Sequence, residues 1–362
     1  MPKAVADVLS DQFVGHDVNL QRLQADHRRT LFRALSRLEE KLVRAILEDV
    51  GTAPFTFERN KALLRVVRQI LTSGYVEISD EHRALLREMG LYEVQAISRL
   101  VNRQIGVDLL SVGVSDSVIT AMLNDNTIFG APLKAYWSQQ SSSLQARFAT
   151  EMRAGIFAGE TTADLIRRVR GTKAANYKDG LMQVARNGAE VVVRTAAQSV
   201  LNDARMEVYK ANEDVIAGVQ AQVTLDTRTS DICIARSGSA WDLEGNPLPD
   251  TNTTENFPGP PPWHPNCRTT LVPVLKSYGE LLGDTSLDRE LKKLPKSTQS
   301  SMDGQVAGDL TYEQWLRDQP ESRQLEVLGP GRLKLWRARK ISLRDLIDQR
   351  GNPMTLKELQ ET

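Results

Sequence analysis

Both cysteines of the 362-residue chain, Cys233 and Cys267, and one of its four histidines, His264, fall between Thr224 and Pro273. Donor groups of these types in one stretch admit three kinds of chemistry. They can hold Zn2+, which takes thiolate sulfur and imidazole nitrogen in a tetrahedron. His264-x-x-Cys267 then supplies two ligands from one turn, Cys233 a third and Asp226 a fourth. Such a clip would order a long loop that has little apolar content of its own. Alternatively, the cysteines pack as small buried hydrophobes while Asp226 and Arg228 pair or cap the loop backbone. In the third reading a thiol is a nucleophile with His264 as its base. The spacing fits no nucleophile signature, and the zinc-deaminase pattern His-x-Glu…Pro-Cys-x-x-Cys is absent. Composition and spacing leave all three readings open.

The elements around these residues follow from periodicity. Val219 to Leu225 alternates by two and is rich in β-branched residues, so a strand leads into the segment. Gly238, Gly245, Asn246, Pro247, Pro249 and Gly259 punctuate an irregular loop. Thr269 to Val274 reads as a second strand, with Pro273 favouring a sheet edge.

Upstream, the pattern is helical. Leu20, Leu23, His27, Leu31, Ala34, Leu38, Leu42 and Ala45 step by three and four, which predicts one helix over 17–50 ending at Gly51. His27 sits in that stripe as a packed histidine. His16 and His82 carry no partner motif and receive no role. Further helices are expected over 57–73, 79–106, 115–125 and 131–156, the second opened by Ser79-Asp80-Glu81. Thr161 reads as an N-cap. The short helix after it carries Arg167, Arg168 and Arg170, which suit either phosphate or a solvated face. A long helix over 180–213 presents many small residues, with Gly188 and Ala197 nearby, and reads as the centre of a bundle.

The tail changes character twice. Gly283 to Asp309 is polar and reads as a linker or arm, with one short helical piece on Leu287, Leu291 and Leu294. Beyond it, a Thr311 cap, a turn at Leu328-Gly329-Pro330-Gly331-Arg332, and short helices over 333–339 and 343–348 offer Trp315, Leu325, Leu328, Leu335, Trp336, Leu343 and Leu346 as a small core. The expected class is α+β, predominantly α. Five regions follow: an N-terminal helical region over 1–130, a helical bundle with a long central helix over 131–216, a strand and loop module with the Cys/His loop over 217–282, the linker over 283–310, and a small helical unit over 311–362.

Composition narrows the classes of function. Apolar residues make up 41% and charged residues 25%, and forty-six basic residues balance forty-six acidic ones. That is an ordinary globular balance with no global field to draw the chain to nucleic acid or an anionic membrane. No apolar run reaches the roughly 18 residues of a transmembrane helix, and the N-terminus lacks a signal-peptide core. Two cysteines are no disulfide framework, so a reducing cytoplasm is the expected setting.

The residue strings say more. Thr224-Leu225-Asp226-Thr227-Arg228-Thr229, then Cys233 and Gly238, then Pro261-Pro262-Trp263-His264-Pro265-Asn266-Cys267-Arg268 resemble the signature of the Mu-F-like minor head proteins of tailed bacteriophages, also called head morphogenesis proteins. The resemblance extends over roughly 130–360, taking in W-L-x-x-Q-P from Trp315, L-G-P-G-R from Leu328 and L-R-D-L-I-D-Q-R-G from Leu343. It implies a structural motif of Asp226, Arg228, Cys233, His264, Asn266, Cys267 and Arg268. Many relatives carry further cysteines where this chain has Asp231-Ile232 and Thr269. That departure weakens the metal reading and strengthens the hydrogen-bonded core.

The resemblance also implies a low-copy minor capsid protein, not an enzyme, bound to the portal protein at the special vertex inside the head. Major capsid protein, scaffold and packaged DNA are further partners, with no membrane in the assembled head and host cytoplasm as the site of assembly. It extends to a part in DNA ejection. The expected cofactor is none beyond a structural zinc. The alternative is a virion-delivered hydrolase or toxin-like effector that uses the Cys/His module. Direct DNA contact through Arg167, Arg168, Arg170 or the stretch from Arg332 to Arg339 is a third, weaker reading.

Overall fold

The structure is a computed structural model that describes residues 5–50, 57–105, 114–125, 127–249, 251, 253–277, 298–308 and 310–361. It is α+β and predominantly α, as the sequence indicates. Two compact units interleave along the chain. One comprises Gln21–Met89 and Thr120–Ala197; the other comprises Met1–Leu20, Gly90–Ile119 and Gln198–Thr362. The elements upstream of the cysteine segment are α1 (Val5–Val50), α2 (Phe57–Ile105), α3 (Asp116–Asp125), α4 (Leu133–Phe157), α5 (Thr162–Arg170) and α6 (Leu181–Lys210).

The first of these units is helical. The α1 stripe predicted from spacing is in its core: Leu31, Ala34, Leu38 and Leu42, joined by Leu35, pack with Leu71, Phe148, Met182 and Ala189. Where the sequence suggested a break between residues 73 and 79, α2 runs straight through. Gly74 is a packing position: a Cβ there would lie 2.5 Å from Leu38 Cδ1. Tyr75, Ile78 and His82 continue the buried face, so Ser79-Asp80-Glu81 opens nothing. At Gly188 an added Cβ would meet the Gln140 amide oxygen at 2.3 Å, the movable end of a partly buried side chain, so the approach there does not require glycine.

The buried histidines of this unit are structural. Trp137 Nε1 donates to His82 Nδ1 at 3.2 Å. Burial pushes His82 down to about 3, and burial also lowers His27. Thr161 caps α5 in a reciprocal box with Asp164. The three arginines of α5 each face a carboxylate: Arg167 faces Asp164, Arg168 faces Glu160 at 2.6 Å, and Arg170 faces Glu39 at 3.3 Å.

The second unit holds the sheet. Strands β1 (Ile216–Gln222), β2 (Ala240–Asp242) and β3 (Thr270–Leu275) are antiparallel in the order β2-β1-β3. Gly218 lies opposite Asp242, and a Cβ there would strike the Trp241 carbonyl oxygen at 2.1 Å, so only glycine lets the strands close. Pro273 does sit on the edge strand β3, opposite Val219.

That edge is covered by polar side chains of α6. Asn202 Oδ1 accepts from Leu271 N at 3.0 Å. Gln198 Nε2 donates to the Thr269 carbonyl at 2.6 Å, Asn202 Nδ2 donates to the same oxygen at 3.2 Å, and Tyr209 Oη donates to the Leu271 carbonyl at 3.2 Å. Backbone groups that would otherwise template a foreign strand are thereby satisfied. His16, given no role from sequence, lies 2.7 Å through Nε2 from Glu93 Oε2, and Arg205 Nε donates to the other oxygen of Glu93. Burial alone would raise the Glu93 carboxyl, but Arg205 and His16 outweigh it and hold the group below its usual range.

The tail differs from expectation. The helical piece proposed on Leu287, Leu291 and Leu294 lies outside the described residues. Residues read as linker farther on form a hairpin of β4 (Thr298–Ser301) and β5 (Gly304–Ala307), and Met302 N donates to the Leu225 carbonyl at 2.9 Å. Helices α8 (Tyr312–Arg317), α9 (Glu321–Arg337) and α10 (Leu356–Glu361) follow, with a 3-10 turn at Leu343–Leu346 before α10. The expected turn at Leu328 to Arg332 is a kink inside α9, made by Gly329 at φ 68° ahead of Pro330. Trp315, Leu328, Trp336, Leu343 and Leu346 are buried as expected, whereas Leu325 is exposed. Their core also contains Val223, Leu225, Cys233 and Cys267, so the tail and the cysteine segment share one interior.

The fully buried Glu93 yields a stability prediction. Glu93→Ala removes the carboxylate facing a buried guanidinium and should cost about 3–5 kcal/mol. Exposed Glu361→Ala should change stability by less than about 0.5 kcal/mol. Urea titration followed by circular dichroism measures both.

Candidate metal centre

Two local devices bring the sulfurs and the imidazole together. The first is α7 (Asp231–Ala235), a short helix within the stretch read as loop, whose N-cap Ser230 accepts from Cys233 N. It places Cys233 inward. The second is the turn His264-Pro265-Asn266-Cys267, closed by Cys267 N donating to the His264 carbonyl at 3.1 Å. Proline suits the second position of such a turn, and Asn266 takes a φ of 60° at the third, which asparagine tolerates well. The turn returns Cys267 to the side of His264.

The geometry is close. Cys233 Sγ lies 3.6 Å from Cys267 Sγ and 3.1 Å from His264 Nε2, and Thr269 Oγ1 donates to Cys233 Sγ at 3.0 Å. Both cysteines are free thiols, 2% and 3% exposed. Cys267 is the one favoured as thiolate: the Cys233 hydrogen bond, with help from His264, outweighs burial and holds it well below the usual thiol range. Cys233 is pushed up by its bond to Cys267 and by burial. His264 is raised, chiefly by its hydrogen bond to Cys267.

Asp226 is not part of this cluster. Arg268 Nη1 donates to its Oδ2 at 2.6 Å and Nη2 to its Oδ1 at 2.7 Å, while Thr229 Oγ1 and Arg228 N each donate to Oδ1 at 3.0 Å. Its lone pairs are thus spent on the loop and on Arg268, which corrects the reading of Asp226 as fourth metal ligand. Arg228 contributes its backbone, while its side chain is largely exposed and lies 3.5 Å from Asp226 Oδ2.

Residues outside the sequence motif lock the site. Tyr312 Oη donates to the Asp226 carbonyl at 2.7 Å, and Tyr312 N donates to Ser237 Oγ at 2.8 Å. Arg332 reaches Asp231 at 2.7 Å and the Met354 carbonyl at 2.7 Å. Arg236 lies over the Trp263 ring, 4.9 Å from its centroid. The sequence signals the aromatic side chains of the tail, not their destination.

Residues 146–272 match the family model described as Phage Mu protein F like protein. That stretch is Mu-F-like. It runs from inside α4 to β3 and contains every residue of the motif. The family is one of structural phage head proteins concerned with head morphogenesis. No curated protein and no solved structure matches the chain. Among the described residues, no helix is long and apolar enough to cross a membrane.

The Asp226 clamp of the Mu-F-like stretch predicts a pH dependence. Burial would raise this carboxyl, but Arg268, Thr229 and the Arg228 amide lower it to about 2, against about 3.9 in an unfolded chain. A depressed carboxyl stabilises the fold above its unfolded value, and that contribution is lost as pH falls from about 4 towards 2. Asp226→Asn should therefore cost about 1–2 kcal/mol at pH 6, allowing for the solvent around Arg268. Urea midpoints of wild type and variant should converge across the pH 4 to 2 window.

Proposed function

We propose that the chain is a minor structural protein of a phage head, seated at the portal vertex and contributing to head assembly. The observation that carries this reading is the match of residues 146–272 to the Mu-F-like family. The site supports an architectural role. Asp226, Arg268, Thr229, Tyr312 and Arg332 bind the module to itself, and their hydrogen-bonding capacity is used internally. The burial of both sulfurs favours architecture over nucleophilic catalysis, because an attacking thiolate must reach a substrate atom. The α5 arginines considered for phosphate contact already face carboxylates, which lends little support to a DNA-binding face.

In this reading the helical unit supplies side surfaces to neighbours in the head, and the Cys/His module holds its own shape while the portal protein docks. Release with or ahead of the DNA belongs to the same proposal.

Two measurements test it. Co-expressed with the portal protein of its own phage, the tagged chain should co-purify with the portal oligomer, and heads assembled without it should lose infectivity at least about tenfold. Failure to co-purify, together with fully infectious heads lacking the chain, overturns the proposal. Mass spectrometry of heads before and after triggered DNA release checks ejection: the chain should be depleted from the emptied heads.

A further inference from the structure

The three donor atoms Cys233 Sγ, Cys267 Sγ and His264 Nε2 lie within 4.8 Å of one another. A tetrahedral zinc has bonds of about 2.3 Å to sulfur and about 2.0 Å to nitrogen, so its ligand atoms stand roughly 3.5–3.8 Å apart. The sulfur separation of 3.6 Å falls in that span, and the 3.1 Å between Cys233 Sγ and His264 Nε2 needs only a small opening.

The imidazole is set up for the same task. His264 Nδ1 is 2.8 Å from the Pro265 carbonyl oxygen, which can only accept. The proton therefore sits on Nδ1, and in the neutral ring the lone pair of Nε2 faces the sulfurs. An outer carbonyl that fixes the tautomer is the usual companion of a metal-bound histidine. Thr269 Oγ1, donating to Cys233 Sγ, is a second outer partner of the kind that steadies a thiolate ligand. Packing alone accounts for two buried thiols, but not for a half-buried histidine that turns its acceptor nitrogen onto them.

The geometry points to a binding site for one borderline-soft divalent ion of the zinc class, held by Cys233, Cys267 and His264 with water in the fourth position. Two thiolates balance the charge of the ion, and hard cations that demand oxygen find no suitable donors among the three. The ion would tie α7 to the His264–Cys267 turn, fastening both ends of the irregular loop between them. This inference goes beyond the proposed role in the head and stands or falls separately from it.

The full chain, purified without chelator from zinc-containing medium, tests it. Elemental analysis should find one equivalent of zinc per chain. Replacement by Co2+ should give the thiolate-to-cobalt charge-transfer band and the intense visible absorption of a tetrahedral site. Both thiols should resist a disulfide reagent until EDTA is added. Cys267→Ser and His264→Ala should each weaken zinc binding more than about a hundredfold. Glu361→Ala, an exposed substitution outside the cluster, should keep the metal.

Should the cysteine or histidine variants fail to fold, the wild-type cobalt spectrum and thiol protection decide alone. Thiols equally reactive with and without EDTA, a mass lighter by two hydrogens that marks a disulfide, or no metal after reconstitution each overturn the assignment.

Discussion

The paired hydrogen bonds between Asp226 and Arg268 join positions 42 apart in sequence, and the cysteine segment depends on that closure. Between the two residues the chain passes through α7, β2 and a long irregular stretch rich in proline and glycine. Closing such a loop is entropically unfavourable. A bidentate guanidinium–carboxylate pair offsets this best where both partners are also bonded to their surroundings. Here Asp226 accepts from Thr229 and the Arg228 amide, so the carboxylate is held by its own loop as well as by Arg268. Arg268 directly follows Cys267 and precedes Thr269, the donor to Cys233. One ion pair therefore sets where the second sulfur, the hydroxyl and the start of β3 must lie.

What the clamp does at one end of β3, α6 does along its length. Among the described residues the strand has a strand partner on one side only, and on the other it would expose the Leu271 amide and the carbonyls of Thr269 and Leu271. Gln198, Asn202 and Tyr209, four and seven residues apart, share one face of α6 and meet these groups. A helix that covers a strand through side-chain hydrogen bonds cannot slide by a residue without breaking all of them. The register of β3 against β1 is thus fixed from both sides, by Gln220 opposite Val272 within the sheet and by Asn202 on Leu271 from outside it.

The legible parts of the sequence were those governed by local rules. Spacing in α1, the Thr161 and Thr311 caps and the edge position of Pro273 each follow from neighbouring residues alone. The illegible parts were decided by distant partners. Ser79-Asp80-Glu81 looks like a helix start until Tyr75 and His82 are seen on one buried face. Asp226 looks like a metal ligand until Arg268 takes both its oxygens, a choice that no spacing encodes. Asn202 and Gln198 read as ordinary polar residues on a helix, because their partners are backbone groups of a strand that cannot be placed in advance. For Cys233, Cys267 and His264, residue type was a sound guide to proximity; which nitrogen of His264 faces the sulfurs depends on the Pro265 carbonyl.

The boundary of the recognisable stretch and the boundary of the folded module are different things. The Mu-F-like match ends at residue 272, yet the interior around Cys233 and Cys267 is completed by Tyr312, Trp315, Trp336 and Leu346. Tyr312 also donates to the Asp226 carbonyl, so the tail supports the clamp directly as well as through burial. Buried aromatic side chains of this size each contribute about 2–3 kcal/mol, a sizeable fraction of a domain's net stability of about 5–15 kcal/mol. Physically, then, the unit that positions the cysteines extends at least through Leu346. A motif can mark where polar geometry is constrained and still omit the apolar residues that hold it, because many combinations of large side chains fill the same interior.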